Sequence, residues 1–296
     1  MILLTGANGF LGSIIKSKLN NQPVITLGRS AKMDIICDLQ TDKPVLPAIN
    51  LVVHAAGKAH FVPRTQADKQ DFFAVNVTGT QNLLNGLETA LQLPQYIVFI
   101  SSVAVYGVET GRLIAEDAPL LAEDPYGMSK IQAEKIVEDW CVKNGVICTI
   151  LRLPLLAGAN PPGNLRAMIK GIEKGYYFNI AGGKAKKSIV LAEDVAKMIP
   201  VIAKIGGTYN LTDRFHPSFY ELSGKIAKQL LKAKPASIPL FAAKIIALLG
   251  DLIGDQAPIN SRKLNKIISD LTFDDSKAVK TFEWNPTPVL DRFRIK

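Results

Sequence analysis

TGANGFLG, residues Thr5–Gly12, decides how the rest of the chain is read. The apolar run Ile2–Leu4 precedes it, and Phe10–Leu19 follows with apolar residues at helical spacing. Glycines 6, 9 and 12 therefore fill a turn between a strand and a helix. Such a turn lets backbone approach a pyrophosphate, while the helix start offers unpaired N–H groups and a partial positive charge. On this reading Gly6 makes the tight turn, Gly9 permits the close approach, and Gly12 lets the helix pack on the strand.

Working outward, short apolar runs recur at Val24–Leu27, Ile35–Cys37, Leu51–His54, Tyr96–Ile100 and Ile147–Leu153. Long helical patterns at Gln66–Leu91 and Pro125–Asn144 lie between the later ones. Strands apolar along their whole length and alternating with helices predict an α/β fold, with a doubly wound parallel Rossmann-type sheet covered on both faces. After Pro154 the texture changes. Pro161, Pro162 and Gly163 break the pattern, then helices are predicted near Leu165–Lys174, Val195–Ala203 and Phe219–Leu231, with strands at Ser188–Val190 and Thr208–Leu211. The expected division is a dinucleotide-binding part over 1–160, with elements returning around 185–212, and a smaller mixed α/β lobe that binds substrate over 161–296, the two interleaved.

With 296 residues, 48% hydrophobic and 21% charged, the chain has the composition of a folded globular protein. Lys plus Arg number 35 against 26 Asp plus Glu, which favours an anionic partner. The basic residues are dispersed, the longest cluster being Lys184–Lys187, and no aromatic-basic signature accompanies them, so small phosphorylated molecules are expected and nucleic acid is not. Met1–Leu4 lacks the basic start of a signal peptide, and Cys37, Cys141 and Cys148 form no CxxC, so a cytoplasmic protein with reduced thiols is expected. No cluster has metal-ligand spacing. Ile238–Gly254 is strongly apolar but is interrupted by Lys244 and Asp251 and is too short to span a bilayer, so a buried helix is expected rather than a membrane-surface one.

SSVAVYG (Ser101–Gly107) follows an apolar strand, and YGMSK (Tyr126–Lys130) opens a helix. With the GxxGxxG turn, HAAG (His54–Gly57), Asn76, LRLPLLAG (Leu151–Gly158), LAEDVA (Leu191–Ala196) and YNLTD (Tyr209–Asp213), they occur in the order seen in the extended branch of the short-chain dehydrogenase/reductase family. The chain resembles that branch over nearly its whole length. The branch includes nucleotide-sugar epimerases, dehydratases and reductases.

Tyr126 and Lys130 are four apart on a predicted helix and share a face. A phenol with pKa about 10 is a poor proton carrier at neutral pH, and a nearby ammonium, with the charge of an oxidised nicotinamide, is expected to lower it. Tyr126 is then the proton donor or acceptor and Lys130 its activator. Ser102 ends the strand where open parallel sheets place ligands, and its hydroxyl is expected to hold the substrate oxygen. Ser101 is the rival. The resemblance selects Ser102, four residues before Tyr106. A capping role for either serine is the structural alternative.

The resemblance further implies cofactor contacts from Gly6, Asn8, Gly9, Phe10, Leu11 and Gly12 in the turn, from Asp38 and Leu39 near the adenine, and from Ala55, Ala56, Gly57 and Asn76. Tyr126 and Lys130 contact the nicotinamide ribose side, and Pro154 and Leu155 lie against the nicotinamide. In VITLGRS (Val24–Ser30) the place usually held by an acid that binds the ribose hydroxyls carries Gly28, then Arg29. Arginine there accommodates the extra phosphate of NADP, so NADP(H) is favoured, with NAD(H) the alternative. For the substrate, a nucleoside diphosphate sugar, the resemblance implies Ser102, Asn164 and Lys187, the last where relatives carry a phosphate-binding arginine. Lysine supplies charge but no bidentate fork, and a loop-capping Asn164 and a solvated Lys187 are equal alternatives. His60 reads better as an exposed histidine than as a sugar ligand.

The reaction expected is reduction of a 4-keto-6-deoxy sugar nucleotide by hydride transfer from NADPH, as in polysaccharide biosynthesis. An NAD-dependent 4-epimerase is the close rival. A dehydratase needs an Asp-Glu pair where this chain has Val103 and Ala104. A non-catalytic NAD(P)-binding sensor or scaffold and an oxidoreductase for a steroid or other apolar alcohol remain as readings of other kinds. A homodimer through the sheet-flanking helices is common in the family.

Overall fold

The structure, a computed structural model, describes residues 1–59, 61–254, 257 and 259–295. His60 lies outside the described residues. The first half builds β1 (Ile2–Thr5), α1 (Phe10–Lys18), β2 (Val24–Gly28), β3 (Ile35–Ile36), β4 (Leu51–His54), α2 (Gln66–Phe73), α3 (Gly79–Glu88) and β5 (Tyr96–Ser102). It continues through β6 (Gly111–Ile114), α4 (Pro125–Asn144), β7 (Ile147–Leu153), β8 (Leu155–Ala157), α5 (Gly163–Glu173), β9 (Asn179–Ile180), β10 (Ile189–Leu191), α6 (Ala192–Ile202) and β11 (Gly207–Asn210). The C-terminal part adds α7 (Phe219–Gln229), β12 (Ser237–Ile238), α8 (Leu240–Asp251), α9 (Ser261–Ile268), β13 (Leu271–Phe273), α10 (Ser276–Phe282) and α11 (Val289–Arg292).

Seven strands form one parallel sheet in the order β11-β7-β5-β4-β1-β2-β3. The order reverses between β1 and β4, which opens a crevice at their carboxyl ends. Side chains alternate across the strands. Leu4, Val53, Val98 and Leu151 join Ile15, Val195 and Ile199 of α1 and α6 on one face. Leu3, Val52, Ile97 and Ile150 meet Leu83, Leu87, Val137 and Trp140 of α3 and α4 on the other. Two apolar faces explain why these strands carry no polar alternation.

The segment expected as one helix over Gln66–Leu91 is two helices joined by a wide π-helical turn at Ala74–Thr78, which buries Asn76. A separate core gathers Leu165, Met168 and Ile172 of α5, Leu222 and Ile226 of α7, and Val289 and Phe293 at the C-terminus. Three short parallel pairs, β8–β10, β9–β12 and β6–β13, complete the lobe.

The expectation of a buried helix at Ile238–Gly254 is corrected. α8 forms there, but only its small residues Ala243, Ala247 and Gly250 are buried, and its large apolar residues face outward. The packing leaves no alternative rotation, since a Cβ on Gly250 would stand 1.9 Å from the Ile259 carbonyl oxygen. Among the described residues no helix is long and apolar enough to cross a membrane.

Candidate active site

The glycine turn closes the crevice between β1 and β4. Gly6 has φ +72°, and a Cβ there would lie 2.6 Å from the Ala55 and Ala56 backbone. A Cβ on Gly12 would lie 2.1 Å from the Gly6 carbonyl oxygen, so only glycine lets α1 start this close to the strand. Gly9 is the residue before α1, and no side chain caps that helix start. Its N–H groups thus remain available to an anion, with Asn8, Phe10 and Leu11 in the same turn. The turn has the shape and polarity that a dinucleotide pyrophosphate requires.

Beneath the turn runs a chain of hydrogen bonds. The Ala56 N–H donates to Thr5 Oγ1 at 3.1 Å, Thr5 Oγ1 pairs with His54 Nδ1 at 2.6 Å, and His54 Nε2 pairs with Thr80 Oγ1 at 3.0 Å. Thr80 Oγ1 donates its one proton to the Asn76 carbonyl at 2.6 Å, so it accepts from His54. His54 is therefore the neutral Nε2–H tautomer, and Thr5 donates to Nδ1. Burial, and then the charge of Lys130, holds its pKa down at about 3.

The Asn76 amide is fully engaged. Its Oδ1 accepts from Lys58 N at 2.7 Å, and its Nδ2 donates to the Lys58 carbonyl at 3.1 Å and to Ser129 Oγ at 2.8 Å. Asn76 thus ties the loop after Gly57 to α4, within one turn of Tyr126 and Lys130. Lys58 also pairs with Asp71.

Ser102 ends β5, and its Oγ accepts from Ala104 N at 3.2 Å. Tyr126, in the first turn of α4, lies close enough to Ser102 for that hydroxyl to act on its pKa. The two elements meet because position 127 is glycine. A Cβ there would lie 2.4 Å from Ala122 Cβ and 2.9 Å from the Ala104 carbonyl oxygen. Asp124 Oδ1 caps α4 by accepting from Tyr126 N and Gly127 N. Ser101, the rival, is buried and donates to Glu134. That carboxylate is bound by Arg152 in a buried ion pair, with Nη2 to Oε2 at 2.8 Å, and Arg152 also reaches Tyr106 and the Glu116 carbonyl.

Lys130 is buried one turn beyond Tyr126. Its Nζ donates to the Ile100 carbonyl at 2.8 Å and sits 4.6 Å from the centre of the Phe99 ring. Burial, partly offset by Glu134, brings its pKa down to about 8. For Tyr126 the expected lowering is not what the protein alone provides. Burial is the largest influence and raises its pKa, the neighbouring Ser102 hydroxyl opposes this, and Asp124 raises it further. The Lys130 ammonium turns toward a backbone carbonyl and the Phe99 ring instead of dominating the phenol.

The other expected residues are distributed as follows. Leu153 pairs in register with Ser102, so Pro154 and Leu155 leave the sheet beside that serine. Arg29 follows β2 and is exposed, while Asp38 and Leu39 follow β3, with Asp38 Oδ1 accepting from Gln40 N at 3.1 Å. Asn164 is exposed in the first turn of α5, a helix whose start no side chain caps. Lys187 donates to the carbonyls of Lys266 and Ser269 at the end of α9, 3.0 Å each, with a pKa brought down to about 8 chiefly by burial. Its ammonium caps a helix C-terminus.

Several residues that shape the site carried no role in the sequence reading, among them His54, Ser129, Gly127 and Asp34. Asp34 Oδ2 accepts from Thr26 N at 2.8 Å and Thr26 Oγ1 at 2.7 Å. It is the sole acid between Arg29 and Cys37, and it faces back into β2.

A parallel sheet with a glycine turn at its switch point, and Ser102, Tyr126 and Lys130 at the same edge, define an NAD(P)-dependent enzyme of the extended short-chain dehydrogenase/reductase type. The chain belongs to the NAD dependent epimerase/dehydratase family, whose model matches residues 2–211. Among curated relatives, it is 24% identical to an N-acetyl-alpha-D-glucosaminyl-diphospho-ditrans,octacis-undecaprenol 4-epimerase of Escherichia coli O157:H7, over 94% of this chain and 88% of that protein. Its fold matches MoeE5 in complex with UDP-glucose and NAD, with TM-score 0.75, 19% identity and coverage of 98% and 95%. It also matches human epimerase family protein SDR39U1 with NADPH, with TM-score 0.74, 16% identity and 98% of each chain.

Proposed function

We propose that the protein is an NADPH-dependent reductase of a 4-keto-6-deoxy sugar nucleotide. The observation that carries this reading is the end of β2, where Arg29 is exposed and Asp34 is turned onto Thr26. Asp34 Oδ2 is taken by Thr26 N and Oγ1, and the exposed Arg29 guanidinium suits an extra ribose phosphate.

When bound, the nicotinamide supplies a hydride to the keto carbon. The residues of the chain do the rest. The turn from Gly6 to Gly12 receives the pyrophosphate, Asp38 and Leu39 border the adenine, Ala55 to Gly57 line the crevice, and Pro154 and Leu155 limit the nicotinamide end. Ser102 and Tyr126 hydroxyls hold the carbonyl oxygen, and Tyr126 gives it a proton as the alcohol forms. Lys130, held by the Ile100 carbonyl and the Phe99 ring, keeps a positive charge at that edge of the site. Burial keeps the Tyr126 phenol protonated before the reaction. The uncapped start of α5 with Asn164 receives the substrate diphosphate, and Lys187 supports that lobe by fixing the end of α9.

Oxidation of NADPH in the presence of a panel of 4-keto-6-deoxy sugar nucleotides tests the proposal. Turnover with NADPH well above that with NADH supports it, and no oxidation across the panel refutes it. The 4-epimerase named for the Escherichia coli relative gives a second reading, in which the same residues remove and return hydride at C4. Stoichiometric NAD released on denaturing the purified protein would establish that one instead.

A further inference from the structure

The substrate lobe has a surface that the redox chemistry does not use. Along α8, Phe241 is 70% exposed, Ile245 57%, Leu248 62%, Leu249 61%, and Leu252 just beyond it 85%. These positions recur at i, i+4, i+7, i+8 and i+11 and so lie along one side of the helix. The opposite side is Ala243, Ala247 and Gly250, packed on Ile180, Ile238, Ile259 and α9. The apolar side faces out because only small residues fit against the lobe.

Charge identifies what covers it. Residues 225–266 hold eight Lys and Arg against two Asp, much of the excess of a chain with net charge +9. Lys244 borders the apolar stripe, Lys266 is exposed on α9, and Lys232 and Lys234 are exposed in the connection leading into β12 and α8. An apolar stripe with a cationic margin is complementary to acyl chains beneath anionic headgroups.

We propose that α8 is a membrane-surface anchor, whose outward stripe from Phe241 to Leu252 inserts shallowly into an anionic bilayer while Lys244 and its neighbours meet the lipid phosphates. Twelve residues make about 18 Å of helix, too short to span a hydrocarbon core of about 30 Å and suited to lying in its surface plane. The anchor holds the substrate lobe against the membrane and does not depend on which reaction the active site performs.

Vesicle flotation tests it, using the full-length protein with phosphatidylcholine vesicles containing or lacking phosphatidylglycerol. The protein should float with the anionic vesicles, less with the neutral ones, and dissociate in high salt. Phe241→Glu/Leu249→Glu should lower the bound fraction by about tenfold or more with thermal unfolding and dinucleotide binding unchanged. Lys232→Glu/Lys234→Glu should weaken binding to anionic vesicles alone, which keeps the test decisive if the first variant folds poorly. Wild-type protein that stays out of the floating fraction overturns the proposal, as does floating unaffected by either variant. Sedimentation showing a dimer that Phe241→Glu/Leu249→Glu dissolves assigns the stripe to a second copy and overturns it too.

Discussion

The carboxyl edge of the main sheet and the α8 surface solve opposite packing problems. At the sheet edge, polar groups are buried and each has a partner, from Thr5 through His54 and Thr80 to Asn76, and from Ser101 through Glu134 to Arg152. On α8, large apolar groups are exposed and only alanine and glycine are packed. Buried polar networks fix geometry because an unpaired member is costly. Exposed apolar stripes contribute little to the fold and act when something covers them. The first region is built for position, the second for contact.

Variants separate the two. Tyr126→Phe removes the hydroxyl proposed as the proton donor and should lower kcat by about 10²–10⁴-fold while dinucleotide binding persists, measured by initial rates and equilibrium titration. Arg152→Met leaves the Glu134 carboxylate buried without its partner and should cost about 3–5 kcal/mol in denaturant unfolding, and Arg152→Met/Glu134→Leu should recover much of that. Leu4→Ala, in the wholly buried β1, should cost about 2–5 kcal/mol.

His54 gives an effect with a defined sign, spread over pH. Its folded pKa of about 3 lies below the ordinary 6.5, so the unfolded chain takes up the proton first as pH falls. The neutral ring therefore stabilises the fold fully above pH 6.5, and that contribution fades between 6.5 and 3, by at most about 1.4 kcal/mol per pH unit. Melting curves over this range should show a shallower decline for His54→Gln. At the small end, Leu249→Ala should change stability by no more than about 0.5 kcal/mol despite deleting as much side chain as Leu4→Ala. A large loss there would mean that α8 is part of the core and would break the comparison.

Much of the first region was legible in the sequence. Apolar runs bounded by glycine and proline located the strands of the main sheet to within about two residues, and Tyr126 and Lys130 were placed on one helix face by spacing alone. What sequence could not show was where each polar group points. Asn76 reads as a helical asparagine, yet the π-helical turn directs its amide into Lys58 and Ser129. Lys130 reads as the partner of the tyrosine, yet it donates to Ile100. The short strands β6, β8, β9, β12 and β13 hold two to four residues each, too few to display a period. Ile238–Gly254 was misread because apolar composition usually means burial. The signal that reverses it is the alanine and glycine repeat at 243, 247 and 250, which marks the side that packs.

The parallel pairing of the main sheet bears on how the protein is made. Thr5 pairs with His54, and the Gly6 turn is completed by backbone at Ala55 and Ala56, so the nucleotide cradle joins two segments some fifty residues apart. None of these pairs arises from a local hairpin, and such long-range contacts form slowly because the loop between them must first be closed. A nascent chain that has released only β1 and α1 therefore owns every glycine of the motif and no binding site. Affinity for the dinucleotide should appear during synthesis only once β4 has docked, which makes the cofactor a reporter of assembly as well as a reagent.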